Sequence, residues 1–192
     1  MFNALNENEY ILIIKKSKFK AFSYNIKTID KAKEIININK EKFKDASHVV
    51  YAYKIGKLKY AYSDAREPHN TAGKPVYNSL EYNDLTDILI IVIRYFGGIK
   101  LGTGGLIKAY STVSRALIEK LNLTNRIEYI KLNIECNYKN YGRLKNILLK
   151  YEVAFIKEEF LTQIILDLEI NKELYNDLVN SLKEIKDIII KN

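Results

Sequence analysis

"DILIIVIRYFGGIKLGTGG", Asp87 to Gly105, carries the strongest structural signal in the chain. From Ile88 to Ile93 every residue is apolar, so the segment has no face for water and reads as a central strand covered on both sides. From Arg94 to Gly105 the composition changes abruptly, and five of the chain's eight glycines fall there. Glycine reaches positive φ without strain and has no side chain to hold a neighbour away. Leu106, Tyr110, Val113, Leu117 and Leu121 then recur at helical spacing, with Thr103 as the expected N-cap. A strand, a glycine loop and a helix N-terminus in that order offer free N–H groups to an anion. The expected anion or nucleic-acid contacts are therefore Arg94, Gly97, Gly98, Lys100, Gly102, Gly104, Gly105 and Lys108. Tight turns and close helix packing alone would use the same glycines. Two familiar phosphate motifs do not occur. No Gly-Lys-Ser/Thr follows the loop, and a dinucleotide fingerprint begun at Gly102 and Gly104 would need glycine where Ile107 stands.

Upstream, "SDAREPHNTAGKPVYNSL" raises the same question. Pro75 suits the first turn of a short helix bearing Val76 and Leu80, which puts Gly73 and Lys74 at its N-terminus. Lys74 joins the expected anion contacts, with His48, Asp64, Glu67, Thr71 and Gly73 as supporting residues. Asp64 and Glu67 have the composition of an acid–base pair, but exposed loop carboxylates are the commoner explanation. His69 is expected at the surface, and His48 is expected to act as a structural hydrogen bonder. No catalytic residue is assigned.

The remaining elements follow from periodicity. Strands are expected around Tyr10 to Lys16 and Phe19 to Ile26, then a helix from about Asp30 with Ala32, Ile35 and Ile36 on one face. "HVVYAYKIGKLKYAYSD" reads as a hairpin turning at Gly56-Lys57. That register pairs Tyr53 with Tyr60 and Tyr51 with Tyr62 on one face, and sets Lys54 opposite Lys59 on the other. A ladder of four rings either stacks nucleobases or packs under helices as core. The last third orders as β-α-β-β-α-β, with strands expected around Val153 to Lys157 and Phe160 to Ile170, which is a ferredoxin-like unit. The division into domains is expected at 1–123 and 124–192.

Charge divides in the same place. Residues 1–123 hold 20 Lys/Arg against 12 Asp/Glu, and residues 124–192 hold 11 against 11, so the whole net charge of +8 lies in the first part. Such a distribution favours an anionic partner for that part. The abundance of Lys, Asn, Ile and Tyr also fits AT-rich codon usage, and arginine numbers only five. One cysteine, Cys136, excludes an internal disulfide, and two histidines leave no Cys/His spacing for zinc. No apolar run approaches the roughly 20 residues of a membrane span, so a cytoplasmic protein without membrane contact, metal or cofactor is expected.

"SHVVYAY" from Ser47, "EP" at Glu67-Pro68, "TAGKP" from Thr71 and "RYFGGIKLGTGGLIKAYS" from Arg94 together resemble the IMPACT family, in its bacterial YigZ branch. The resemblance spans essentially the whole chain. It implies an α/β (α+β) fold: an N-terminal domain of the ribosomal-protein type, like domain IV of elongation factor G, followed by a ferredoxin-like domain. Where the family reads Asp-Asp-Gly-Glu-Pro-Ser-Gly, this chain reads Asp64-Ala65-Arg66-Glu67-Pro68-His69-Asn70, so a carboxylate is missing. Asn70 tolerates a glycine's positive φ, whereas Arg66 does so only at a cost. Eukaryotic members carry a further N-terminal domain for contacts that control a translation-regulating kinase, and this chain is expected to begin directly with its first strands. Three functions are open: a translation-associated regulator binding RNA or a ribosomal surface, an enzyme handling a phosphorylated small molecule at the glycine loop, and a protein adaptor using the C-terminal sheet. The first is preferred, and the sequence sets no oligomeric state.

Overall fold

The computed structural model describes residues 1–191. Its strands are β1 (Phe2–Ala4), β2 (Glu9–Ile14), β3 (Ser17–Asn25), β4 (His48–Ile55), β5 (Lys59–Ser63), β6 (Ile88–Tyr95), β7 (Leu123–Asn125), β8 (Tyr129–Cys136), β9 (Ala154–Phe160), β10 (Ile164–Asn171) and β11 (Ile188–Lys191). The helices are α1 (Ile29–Lys42), α2 (Gly73–Tyr82), α3 (Gly102–Ile118), α4 (Tyr138–Lys150) and α5 (Tyr175–Leu182). The chain divides into two units, Met1–Arg126 and Ile127–Asn192. The division lies past residue 123 because β7 pairs antiparallel with β1, at the far end of the same unit.

In the first unit an antiparallel sheet of order β2-β3-β6-β4-β5 puts β6 at its centre. Side chains alternate along a strand, so the apolar run is shared between two layers. Ile88, Ile90 and Val92 pack with Val76 and Leu80 of α2 and Leu106, Tyr110, Val113 and Leu117 of α3. Leu89, Ile91 and Ile93 pack with Ala32, Ile35 and Ile36 of α1. Each fully buried aliphatic side chain contributes about 1.5–3 kcal/mol, so β6 anchors both layers. Thr28 caps α1 by accepting from the Lys31 N–H.

The β4–β5 hairpin departs from the expected register. Its loop holds three residues, Gly56 to Leu58, because Ile55 pairs with Lys59. Gly56 at φ +59° donates to Asp87 Oδ1, and its carbonyl accepts from Thr86, which ties the turn to the start of β6. Tyr60 therefore faces Lys54 and Tyr62 faces Ala52. A shift of one residue turns every side chain to the other face. The tyrosines split into two sets: Tyr51 and Tyr53 pack on the α1 layer, and Tyr60 and Tyr62 stack on Tyr77 of α2. Lys54 is not opposite Lys59 but pairs with Glu81 at 2.6 Å.

The second unit has the antiparallel order β11-β8-β10-β9, with α4 and α5 supplying Leu144, Leu148, Leu178 and Leu182 to its own core. This is the ferredoxin-like strand order. Its hairpin turns at Leu161 to Gln163, later than periodicity placed it, because Phe160 pairs with Ile164.

Candidate functional site

Arg94 stands near the end of β6 and is 4% exposed. Its guanidinium lies 5.4 Å from the Phe19 ring and 5.6 Å from the Phe96 ring. Its Nη1 donates to Glu67 Oε1 at 2.6 Å, while its Nε is buried without a partner. The same Glu67 oxygen accepts from the Tyr110 hydroxyl at 2.8 Å. Burial, and then the Glu67 charge beside it, push the Tyr110 phenol far above its ordinary range, so it stays a donor. His48 Nδ1 meets the Ala65 carbonyl at 2.9 Å. A carbonyl can only accept, so Nδ1 carries the proton and Nε2 is turned toward Glu67, 3.7 Å away. Glu67 is thus a buried hub joining a strand, a helix and a loop, and Arg94 compensates its charge.

These residues border a cleft of about 410 Å³. His48, Arg94, Glu67 and Pro68 contribute from the sheet and the loop before α2; Phe96, Lys100, Leu101 and the first turn of α3 contribute the rest. Helix α3 begins at Gly102, one residue before the expected cap, so Thr103 lies inside the helix rather than capping it. Neither a side-chain cap nor an acidic residue occupies its first turn. The free N–H groups there and the helix dipole make that end electropositive. Lys100 is exposed beside it. A second cleft, about 370 Å³, lies beyond His48 and is lined by Lys40, Lys44 and Arg66 with no carboxylate among its residues.

Of the expected contacts, His48, Glu67, Arg94, Lys100 and Gly102 come together at the first cleft. Lys74 and Lys108 are exposed on their helices outside it. Asp64 is occupied structurally: its carboxylate accepts from the N–H groups of Asn70, Ala72 and Gly73, capping α2 from a distance. Thr71 donates to the Pro68 carbonyl and holds the same loop. Gly73 permits close approach, because a Cβ there would lie 2.6 Å from the Ser63 backbone.

The glycines of the loop serve two purposes, and one glycine serves neither. Gly98 and Gly102 sit at φ +84° and +72° in open space. Gly97 packs so closely on the Lys16 backbone that a Cβ would collide with it, and its N–H donates to Ser17. Gly104 is helical with nothing within 4 Å, and Gly105 meets only Leu101, so Gly104 does not need glycine for its backbone as its place in the run implied. Sequence reasoning missed Ser17, Phe96, the Tyr110 hydroxyl and the Lys40–Lys44 cleft. A tyrosine within an otherwise aliphatic helical stripe was the available signal for Tyr110. Among the described residues no cluster of His, Cys, Asp and Glu could hold a metal ion, and no helix is long and apolar enough to cross a membrane.

The buried Arg–Glu pair and the glycine loop lie within residues 15–118, which match the Impact N-terminal domain family. The chain belongs to the IMPACT family. An IMPACT family member of Haemophilus influenzae is 30% identical over 175 residues, covering 89% of this chain and 85% of that one. YvyE of Bacillus subtilis is 34% identical over 77% of this chain and 69% of its own, and YigZ of Escherichia coli is 28% identical over 77% and 74%. A solved structure of a hypothetical protein superposes with a TM-score of 0.77 over 98% of this chain and 95% of that one, at 23% identity, and shares the fold.

Proposed function

We propose that this protein is a translation-associated regulator that binds RNA or a ribosomal surface through its basic first unit. The observation that carries the reading is the uncapped N-terminus of α3, free of acidic residues, with Lys100 beside it and the carboxylate-free Lys40–Lys44–Arg66 cleft nearby. Backbone N–H groups and unpaired lysines are what phosphate recognition uses. Kinship with the IMPACT family supports the connection to translation, and its mechanism here is binding rather than chemistry.

The test is RNA affinity of the full chain across a salt series. Lys100→Ala weakens binding to all sequences and lowers the salt slope by about one, because one fewer counterion is released. Lys139→Ala, an exposed charge of the second unit, leaves both unchanged. Equal losses from the two variants would reduce the effect to diffuse charge. Arg94 is unsuitable as a probe, since its removal leaves Glu67 buried and uncompensated at a cost of about 3–5 kcal/mol.

The size of the first cleft favours one second reading, an enzyme acting on a phosphorylated small molecule. On that reading a nucleoside monophosphate raises the melting temperature of RNA-free protein, and the gain disappears in Lys100→Ala. No shift across a panel of phosphorylated metabolites would dismiss it.

A further inference from the structure

The edge of the first unit's sheet carries a feature that the glycine-loop site does not use. Tyr60 and Tyr62 of β5 each stack on Tyr77 of α2, at 4.7 Å and 5.7 Å between ring centroids and 25° and 29° between planes. Tyr77 is held from the helix side: burial, then its bond to Glu81, raises its phenol to about 12. Yet the two strand rings are not core. Tyr60 is 54% exposed and Tyr62 37%. They stand two residues apart on the outermost strand of the sheet, whose outer N–H and C=O groups have no strand partner.

The charges around the rings are unbalanced. Lys59 precedes Tyr60, and Lys74 lies one helical turn before Tyr77, at the end of α2 where Gly73 packs on Ser63. Neither lysine has a carboxylate partner among the described residues. The acids nearby are already engaged: Glu81 pairs with Lys54 at 2.6 Å, and Asp84 pairs with the amino terminus at 2.8 Å. Exposed rings with a free cation at either end suit a strand whose bases are unpaired and whose backbone is anionic.

We propose that the β5 edge is a stacking platform for single-stranded nucleic acid, with Tyr60 and Tyr62 receiving bases and Lys59 and Lys74 receiving phosphates. It rests on the RNA-binding reading above and specifies where, and in which form, the nucleic acid is held. Every base has a π-face, so the platform tolerates sequence, but it discriminates against a duplex, whose bases are already stacked.

The chain has no tryptophan, so its intrinsic fluorescence reports tyrosine alone. The experiment titrates full-length protein with a short oligouridylate, an oligothymidylate and an RNA duplex of equal phosphate count. Both single strands quench tyrosine emission and bind more tightly than the duplex. Replacing both rings, Tyr60→Leu with Tyr62→Leu, weakens single-strand binding about thirtyfold or more while leaving the salt slope unchanged. Tyr60→Phe, which keeps the ring, binds as the parent does. Thermal unfolding of each variant checks its fold, and quenching in the parent protein does not depend on any variant. Equal affinity for duplex and single strand, or RNA binding indifferent to both leucines, would overturn the platform and leave the RNA-binding reading standing. Displacement of bound oligonucleotide by polyglutamate, lost with both leucines, would assign the edge to an acidic protein segment instead. Failure of the parent protein to bind any of the three probes would overturn the platform together with the RNA-binding reading, leaving a ribosomal protein surface as the partner.

Discussion

Arg66 and Asn70 hold φ of +68° and +59°, and Ala65 holds +47°, in the loop that carries Glu67. Two of these, Arg66 and Asn70, are the positions where the family pattern has glycine, so the loop keeps a glycine conformation that Asn70 tolerates and Arg66 resists. Arg66 accepts that strain and lines the basic cleft beside His48. Replacing it with glycine relieves the strain and stabilises the protein by about 1 kcal/mol in urea unfolding, while removing one cation. The glycine run sorts in the same assay. Gly102→Ala costs about 1 kcal/mol because φ is positive, Gly97→Ala costs much more because the Lys16 backbone cannot yield, and Gly104→Ala is neutral or stabilising. Equal losses at all three positions would show that the loop responds to composition and not to backbone geometry.

At the scale of elements, α2 is joined to β5 by rings and to β4 by one ion pair, of which only the lysine is buried. Lys54, 7% exposed, meets Glu81 at 2.6 Å and lowers the Glu81 carboxyl below its ordinary range. Tyr77 titrates near 12 when folded and near 10 when unfolded, so the folded state holds its proton more tightly. The corresponding stability is complete below about pH 10 and is lost as pH rises toward about 12. Tyr77→Phe has no proton to lose there, and its unfolding midpoint falls less steeply with pH over that window. Parallel pH profiles for the two proteins would place the ring in water. The open face of the second unit's sheet offers no comparable platform. Lys131 faces Glu169, Lys157 meets Glu159, Lys191 meets Glu135 and Asn133 bonds Asp167, so its charges satisfy one another. That arrangement leaves a polyanion few unpaired cations on this face, although Tyr129 and Ile189 are exposed there.

For the whole molecule, the two units have separate cores, one built around β6 and one around β8 and β10. We expect each to unfold by itself, giving two transitions in calorimetry, with RNA stabilising only the transition of the basic unit. A single transition shifted as a whole by RNA would show that the units are energetically coupled. On that expectation the positive charge of the first unit acts within one cooperative body, and polyanions leave the near-neutral second unit unchanged.

Sequence alone determined what depends on local periodicity and composition. The run from Ile88 to Ile93 specified a central strand, the stripe from Leu106 to Leu117 specified the helix packed on it, and the order of the last elements specified a ferredoxin-like unit. Hydrophobic periodicity suffices there because each residue's burial follows from its own element. Three other features depended on contacts between segments far apart in the chain. The hairpin register was set by Asp87 and Thr86 gripping Gly56, which split the tyrosines and exposed two of them. Asp64 became a cap because the loop folds back to bring three N–H groups to it. Arg94, Glu67, Tyr110 and His48 met because a strand end, a loop and a helix converge on one buried oxygen. A buried charge requires a partner, but only tertiary packing selects which residue supplies it.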